Sequence, residues 1–192
     1  MVHSLNHQDT NSNYKAKKFI IWLFVVSSTI MFAGWTSYYI VFAASKSKGH
    51  GLVLPDMFLY STIILVLSSI SLFLAARALR NGELSKQKTF LWITLLLGLV
   101  FGYLQFGAWS SLYHSGAFLV NNNAAISLIY IVSGIHLLHI FAGLLLILST
   151  LFGAYRKIST PRLQFRMEVS SIFWHFIDIL WIYLYVFLLL NS

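Results

Sequence analysis

Ala124 to Ala154 reads AAISLIYIVSGIHLLHIFAGLLLILSTLFGA. It holds no Lys, Arg, Asp, Glu or Pro. A bilayer core about 30 Å thick needs about 20 apolar residues at 1.5 Å of rise each. The stretch is long enough to span a membrane as one helix, and its polar side chains are few enough to list. Outward from it, four more runs of the same kind appear: about 19–43, 57–76, 90–113 and 171–190. None contains Lys or Arg, and Pro55 and Pro161 both fall between runs. The expected fold is all-α, a polytopic membrane protein of five transmembrane helices over 19–192. A polar tail, residues 1–18, precedes them, and its start is expected to be disordered.

Composition agrees. The 192 residues are 58% hydrophobic and 9% charged, with a mean hydropathy of +0.77. A soluble domain carries about 25% charged residues, which excludes a soluble enzyme as the starting point. Cysteine is absent, so disulfides, thiolate zinc sites, iron–sulfur clusters and thiol nucleophiles are excluded. The first apolar run, about 25 residues, exceeds the roughly 7–15 of a cleavable signal and is read as a retained helix.

The net charge of +8 is a matter of placement. Lys15, Lys17 and Lys18 precede helix 1. Arg77, Arg80, Lys86 and Lys88 separate helices 2 and 3, and Arg156, Lys157, Arg162 and Arg166 separate helices 4 and 5. The other side has Lys46 and Lys48 alone. The positive-inside rule then puts the N-terminus in the cytoplasm and the C-terminus outside. Dispersed basic residues at membrane ends, with no basic run interleaved with aromatics, exclude nucleic acid as a partner.

Ionisable and amide groups inside a membrane are costly and point to function. Helix 4 carries His136 and His139 three apart, with Gly143 one turn on. Helix 5 carries Trp174, His175, Asp178 and Trp181, with Glu168 at its cytoplasmic entrance. Helix 3 carries Gly98 and Gly102, a spacing that suits close helix contact, then Gln105. Three readings fit the histidines: axial ligands of a b-type haem, a His/Asp metal site, or a hydrogen-bonded cluster holding helices together. His136 and His139 lie roughly 20–25 Å from the cytoplasmic end and His175 and Asp178 roughly 6–15 Å, so one four-ligand site is disfavoured. Candidate partners for Asp178 are His175, Gln105, indole N–H groups and tyrosine hydroxyls. Trp22, Trp35, Tyr38, Tyr39, Trp92, Tyr113 and Tyr155 lie towards helix ends and read as interface anchors. His3, His7, His50 and His114 lie in tails or loops and receive no role.

These motifs resemble subunit III of haem–copper terminal oxidases, the cytochrome c and quinol oxidase family. Gly134-Ile135-His136-Leu137-Leu138-His139-Ile140-Phe141-Ala142-Gly143 resembles the family's G-[FI]-H-x-x-H-[VI]-x-x-G. Glu168, then Trp174-His175-Phe176-Ile177-Asp178-Ile179-Leu180-Trp181 and Leu184-Tyr185-Val186, resembles E-x5-W-H-F-[VI]-D-[VI]-x-W-x-x-L-Y-[VI]. Leu104-Gln105 matches the family's L-Q pair. The likeness runs from about Phe19 to the end, in the family's five-helix form.

The resemblance implies an integral subunit of a prokaryotic cell membrane that binds catalytic subunit I, alongside subunit II and other respiratory subunits. Haem and copper stay in those partners, and this chain carries no cofactor, though some members hold phospholipid. It implies support for stability and proton uptake during aerobic respiration. Gln105, His136, His139, Gly143, Glu168, Trp174, His175, Asp178 and Trp181 become structural or hydrogen-bonding residues, with Gly98 and Gly102 packing helices. Two departures stand out: Ser28 and Ala108 occupy positions where the family often has glutamate. Other readings are the subunit III of a quinol oxidase, a b-type haem anchor of a respiratory dehydrogenase, or a small transporter.

Overall fold

The computed structural model describes residues 2–46, 54–120 and 124–191, with side chains over 14–42, 54–120 and 126–191. The side chains of His3, His7, Lys46, Lys48 and His50 lie outside the described residues. The described residues form five helices: α1 (Val2–Lys46), α2 (Met57–Arg80), α3 (Leu84–His114), α4 (Ala124–Tyr155) and α5 (Thr160–Leu190). Each contains a segment long and apolar enough to cross a membrane, and no strand occurs among the described residues.

Every helix except α4 outruns its apolar run at the basic end. α5 starts at Thr160 rather than near 171, with Pro161 inside its first turn. Proline is suited there, since its missing N–H would have no helical partner. α1 begins at Val2, where a disordered start was expected. Once the apolar segment has nucleated a helix, adding turns costs little. Turns are tight at the basic end. Asn81–Glu83 joins α2 to α3, with Gly82 at φ 78°, a left-handed conformation that glycine adopts without a Cβ clash.

Contacts arrange α2, α3, α4 and α5 as a closed ring of neighbours, α2 also meeting α5. α1 packs outside that ring, touching α4 and α5 alone among the described elements. Phe58, Leu65, Leu72, Leu91, Phe101, Trp174, Trp181 and Leu184 fill the interior. Large apolar side chains such as Ile30, Phe73 and Ile179 face outward. Lipid is as apolar as this surface, so packing and interhelical hydrogen bonds must bind the helices.

The three basic segments meet at one end. Lys18 pairs with Glu168, Tyr14 stacks on Phe165 at 4.7 Å, and Lys88 Nζ lies 4.5 Å over the Tyr155 ring. Tyr39 departs from its expected place. It is fully buried and donates from its hydroxyl to the Asn191 carbonyl at 3.0 Å. Its ring fills the α1–α5 contact instead of anchoring at the lipid interface.

Candidate functional site

The inward polar residues of α3, α4 and α5 sit where helical spacing puts them, but they do not converge. His136 is fully buried and faces the ring interior. It stacks on Trp181 at 4.7 Å and meets Phe101 edge-on at 5.8 Å. His139, less than one turn on, faces α1. Its Nδ1 donates to the Ile135 carbonyl at 2.8 Å. That leaves Nε2 to accept from the Ser28 hydroxyl at 3.2 Å. His175 faces α2, with Nδ1 2.6 Å from Ser69 Oγ. Three imidazoles thus enter three different helix interfaces. Axial haem ligation needs a ring nitrogen facing an open macrocycle site. His136 is instead sandwiched between aromatic rings, and His139 is engaged at both nitrogens. Among the described residues, no three His, Asp or Glu side chains gather as metal ligands would.

Asp178 is 4% exposed, and neither carboxylate oxygen has a hydrogen-bond partner among the described residues. Ser69 is near enough to act on it electrostatically, but the short bond recorded for the Ser69 hydroxyl runs to His175. The candidate partners read from the sequence are engaged elsewhere or out of reach. Trp174 donates to Ser68 Oγ at 3.0 Å and Trp181 to Thr62 Oγ1 at 3.0 Å. Tyr183 pairs with Thr36 at 2.7 Å. Gln105 and His136 likewise have no partner on either polar atom. Glu168 sits outside this interior and pairs with Lys18.

The glycines divide into two kinds. A Cβ on Gly98 would lie 2.7 Å from Leu144 Cδ2 and 2.9 Å from Trp174 Cη2. One on Gly143 would lie 2.8 Å from Trp174 Cε3. The Trp174 indole is therefore wedged between α3 and α4 at two positions where any Cβ would force a neighbouring side chain to shift. Gly102 is different, since its Cβ would meet only Leu137 Cδ1 at 3.8 Å. Both glutamate departures are buried: Ser28 binds His139, and Ala108 packs in the core at 1% exposure.

Sequence reasoning missed the hydroxyl partners: Ser28 for His139, Ser69 for His175, Ser68 and Thr62 for the two indoles, and Ser133 for Trp109. Each is a Ser or Thr inside an apolar helix. Matching the depth of such residues across neighbouring helices would have been the signal.

The geometry defines a polytopic helical membrane protein, several of whose polar residues bond across its own helix interfaces. The chain matches the family described as cytochrome c oxidase subunit III over residues 3–192, and it belongs to that family, the third subunit of haem–copper oxidases. It is similar to the cytochrome bo(3) ubiquinol oxidase subunit 3 of Buchnera aphidicola subsp. Acyrthosiphon pisum (strain APS). Those two are 32% identical over 181 residues, 92% of this chain and 87% of the relative. It is also similar to the cytochrome c oxidase subunit 3 of Pelea capreolus, at 27% over 187 residues, 92% of this chain and 70% of that one. The corresponding protein of Osphranter robustus is 29% identical over 174 residues, 85% of this chain and 65% of the relative.

Proposed function

We propose that this chain is the non-redox third subunit of an oxygen-reducing haem–copper complex, seated in the membrane against catalytic subunit I and assembled with subunit II. Haem and copper reside in those partners. The chain stabilises the complex and shapes the proton entrance of its neighbour. The observation that carries this reading is the family match across all five helices. The divergence of His136, His139 and His175 into separate interfaces supports it, because a redox centre would need them to converge. In this reading His139 and His175 hydrogen-bond across helix interfaces, and Gln105, His136 and Asp178 pack in the interior. The eleven basic residues at one end face the cytoplasm.

On the basic side a groove suits a phospholipid. A groove of ≈ 510 Å³ carries Leu148 and Phe152 on its apolar part and Arg156 and Arg166 at its end. The guanidinium groups suit a headgroup phosphate.

The donor to the complex is a quinol on a second reading. The Buchnera bo(3) ubiquinol oxidase subunit is matched over 87% of its length, against 65–70% for the two mammalian cytochrome c oxidase subunits.

Gentle detergent purification from aerobic membranes tests both readings. Co-purifying chains with haem absorption, and oxygen consumption driven by quinol or by cytochrome c, are the expected results. A Soret band from the isolated chain, or co-purification with a dehydrogenase instead, would overturn the proposal.

A further inference from the structure

The unpaired polar groups of α5 fall on one line. Glu168, Ser171, His175 and Asp178 follow one another at spacings of three, four and three, which keeps them within about 80° of the helix circumference. They climb about 15 Å from the basic end, where Glu168 pairs with Lys18, towards the middle of the span. Residue 175 is the midpoint of Thr160–Leu190, and Ser69 lies at the middle of Met57–Arg80. Ser171 Oγ and both oxygens of Asp178 are buried without a hydrogen-bond partner among the described residues. His175 is half-buried and bonded at Nδ1, and its Nε2 has no partner among them either. Unpaired polar groups inside a membrane are destabilising, so packing alone would favour apolar side chains along this line. Carboxyl, hydroxyl and imidazole in succession are the groups that pass protons through membrane interiors.

Ser69 joins the two inner members. Its hydroxyl lies 2.6 Å from His175 Nδ1 and beside the Asp178 carboxyl. A hydroxyl donates one bond and accepts two, so it can take a proton from one neighbour while giving its own to the other. With Asp178 protonated, the acid O–H points to Ser69, the Ser69 O–H points to Nδ1, and Nε2 carries the imidazole proton. Loss of the Nε2 proton shifts the others one step each: the Ser69 proton moves to Nδ1 and the Asp178 proton to Ser69. Reloading at Nε2 runs the same steps in reverse. Ser171 lies about 6 Å below His175 along the axis, a step that one bridging water covers. Other helices bring no competing charge to the inner end. α3 turns inward the neutral amide of Gln105, the α4 imidazole of His136 is stacked on Trp181, and Lys18 of α1 stays at the mouth. The next position on the line is Ile182, so the line stops at Asp178.

We propose that Glu168, Ser171, His175 and Ser69 form a blind proton path from the basic side of the membrane to Asp178, which holds one exchangeable proton near mid-membrane. The path lies wholly within α2 and α5 of this chain. It goes beyond the third-subunit reading and does not depend on it. Because the path ends at Asp178, oxygen reduction in a partner does not draw on it.

The test follows hydrogen–deuterium exchange at Asp178 by infrared spectroscopy of the whole complex, grown on isotope-labelled aspartate and moved into heavy water. The carbonyl stretch of a protonated, labelled carboxyl that disappears in Asp178→Asn assigns the proton. If that variant fails to assemble, Asp178→Glu, whose acid is unlabelled, makes the same assignment. In the parent this band is expected to shift as deuterium replaces the proton. Ser69→Ala and Ser171→Ala should each slow the shift about tenfold, the equivalent of one lost hydrogen bond in the barrier. Ser68→Ala removes the Trp174 partner at the same α2–α5 interface but leaves the line intact, and it should exchange at the parent rate. Equal rates in every variant would mean exchange by helix opening, and an equally slowed Ser68→Ala would mean a structural effect alone. Either result overturns the proposal, as does an Asp178 without an exchangeable proton.

Discussion

Ser28 Oγ lies 3.2 Å from His139 Nε2 and forms a polar tie between α1 and α4. α1 touches only α4 and α5 among the described elements, so it depends on few such ties. Thr36 to Tyr183 and Lys18 to Glu168 are others. Ser28→Ala removes the donor and leaves a buried ring nitrogen unpaired. Interhelical bonds of this kind are worth about 0.6 kcal/mol on average and up to about 1.7. The chain has no cysteine, so Val25→Cys, buried at 9% exposure, is a clean reporter of α1 docking. Its maleimide labelling should speed up in the Ser28→Ala background and not in Ser28→Thr, which keeps the hydroxyl. Equal labelling in all three would remove the tie from the account.

Trp174 between Gly98 and Gly143 predicts a coupled pair. Gly143→Ala would put a methyl group 2.8 Å from Trp174 Cε3, an overpacking that costs about 1–3 kcal/mol. Trp174→Phe alone opens space and loses the bond to Ser68, whose own hydroxyl still donates to the Leu65 carbonyl. Together the two changes should cost less than the sum of their separate effects, because the smaller ring vacates the methyl's position. Thermal unfolding of the detergent-solubilised complex reads this out. Strict additivity would mean that the clash relaxes elsewhere.

The two glycines show what the sequence could and could not tell. The Gly98-x-x-x-Gly102 spacing suggested one packing motif, yet only Gly98 is filled from within. Period and hydropathy located all five spans, because lipid imposes an apolar length that no local detail alters. Helix starts were missed by 17 residues at α1 and by 11 at α5, because outside the bilayer hydropathy no longer marks where a helix stops. His136 and His139 share a broad face by spacing, but one meets α5 and the other α1. That divergence depends on which helices are neighbours, and chain order alone does not fix them. The expected partner of Asp178 failed for the same reason: Trp174 and Trp181 turn their N–H groups to α2 hydroxyls.

His175 carries the expectation that loss of the polar interior loosens assembly before chemistry. Its Nδ1 meets Ser69 across the α2–α5 interface at 2.6 Å. His175→Ala should lower the yield of intact oxidase. The complexes that do assemble should keep their initial rate of oxygen reduction per haem. Normal assembly with a lost initial rate would reverse the assignment and give the imidazole a part in proton delivery.

Glu168 is within the helix 5 motif, but its pair with Lys18 is half-exposed, at 50% and 39%. Pairs of that kind contribute about 0–1 kcal/mol and weaken with salt. Glu168→Gln should therefore change the unfolding midpoint of the complex by less than Gly143→Ala does. The difference from the parent should shrink between low and high ionic strength. A large, salt-independent loss would point to a second, more buried partner for this carboxylate.

Gln105 makes the opposite prediction from the hydrogen-bonded Ser28 and His175. It is fully buried, and neither its amide nitrogen nor its oxygen has a partner among the described residues. A buried polar group without partners costs about 1–3 kcal/mol, and an apolar group of similar shape removes that cost. Methionine matches the glutamine side chain in length and adapts to irregular space. Gln105→Met should therefore leave the thermal stability of the complex unchanged or raise it. His136 on α4, also unpartnered, would register any water or proton shared between the two. If Gln105→Met destabilises, and the loss disappears in a His136→Phe background, the two residues are joined through a bridging water. The interior of the α3–α4 interface would then be hydrated, not dry.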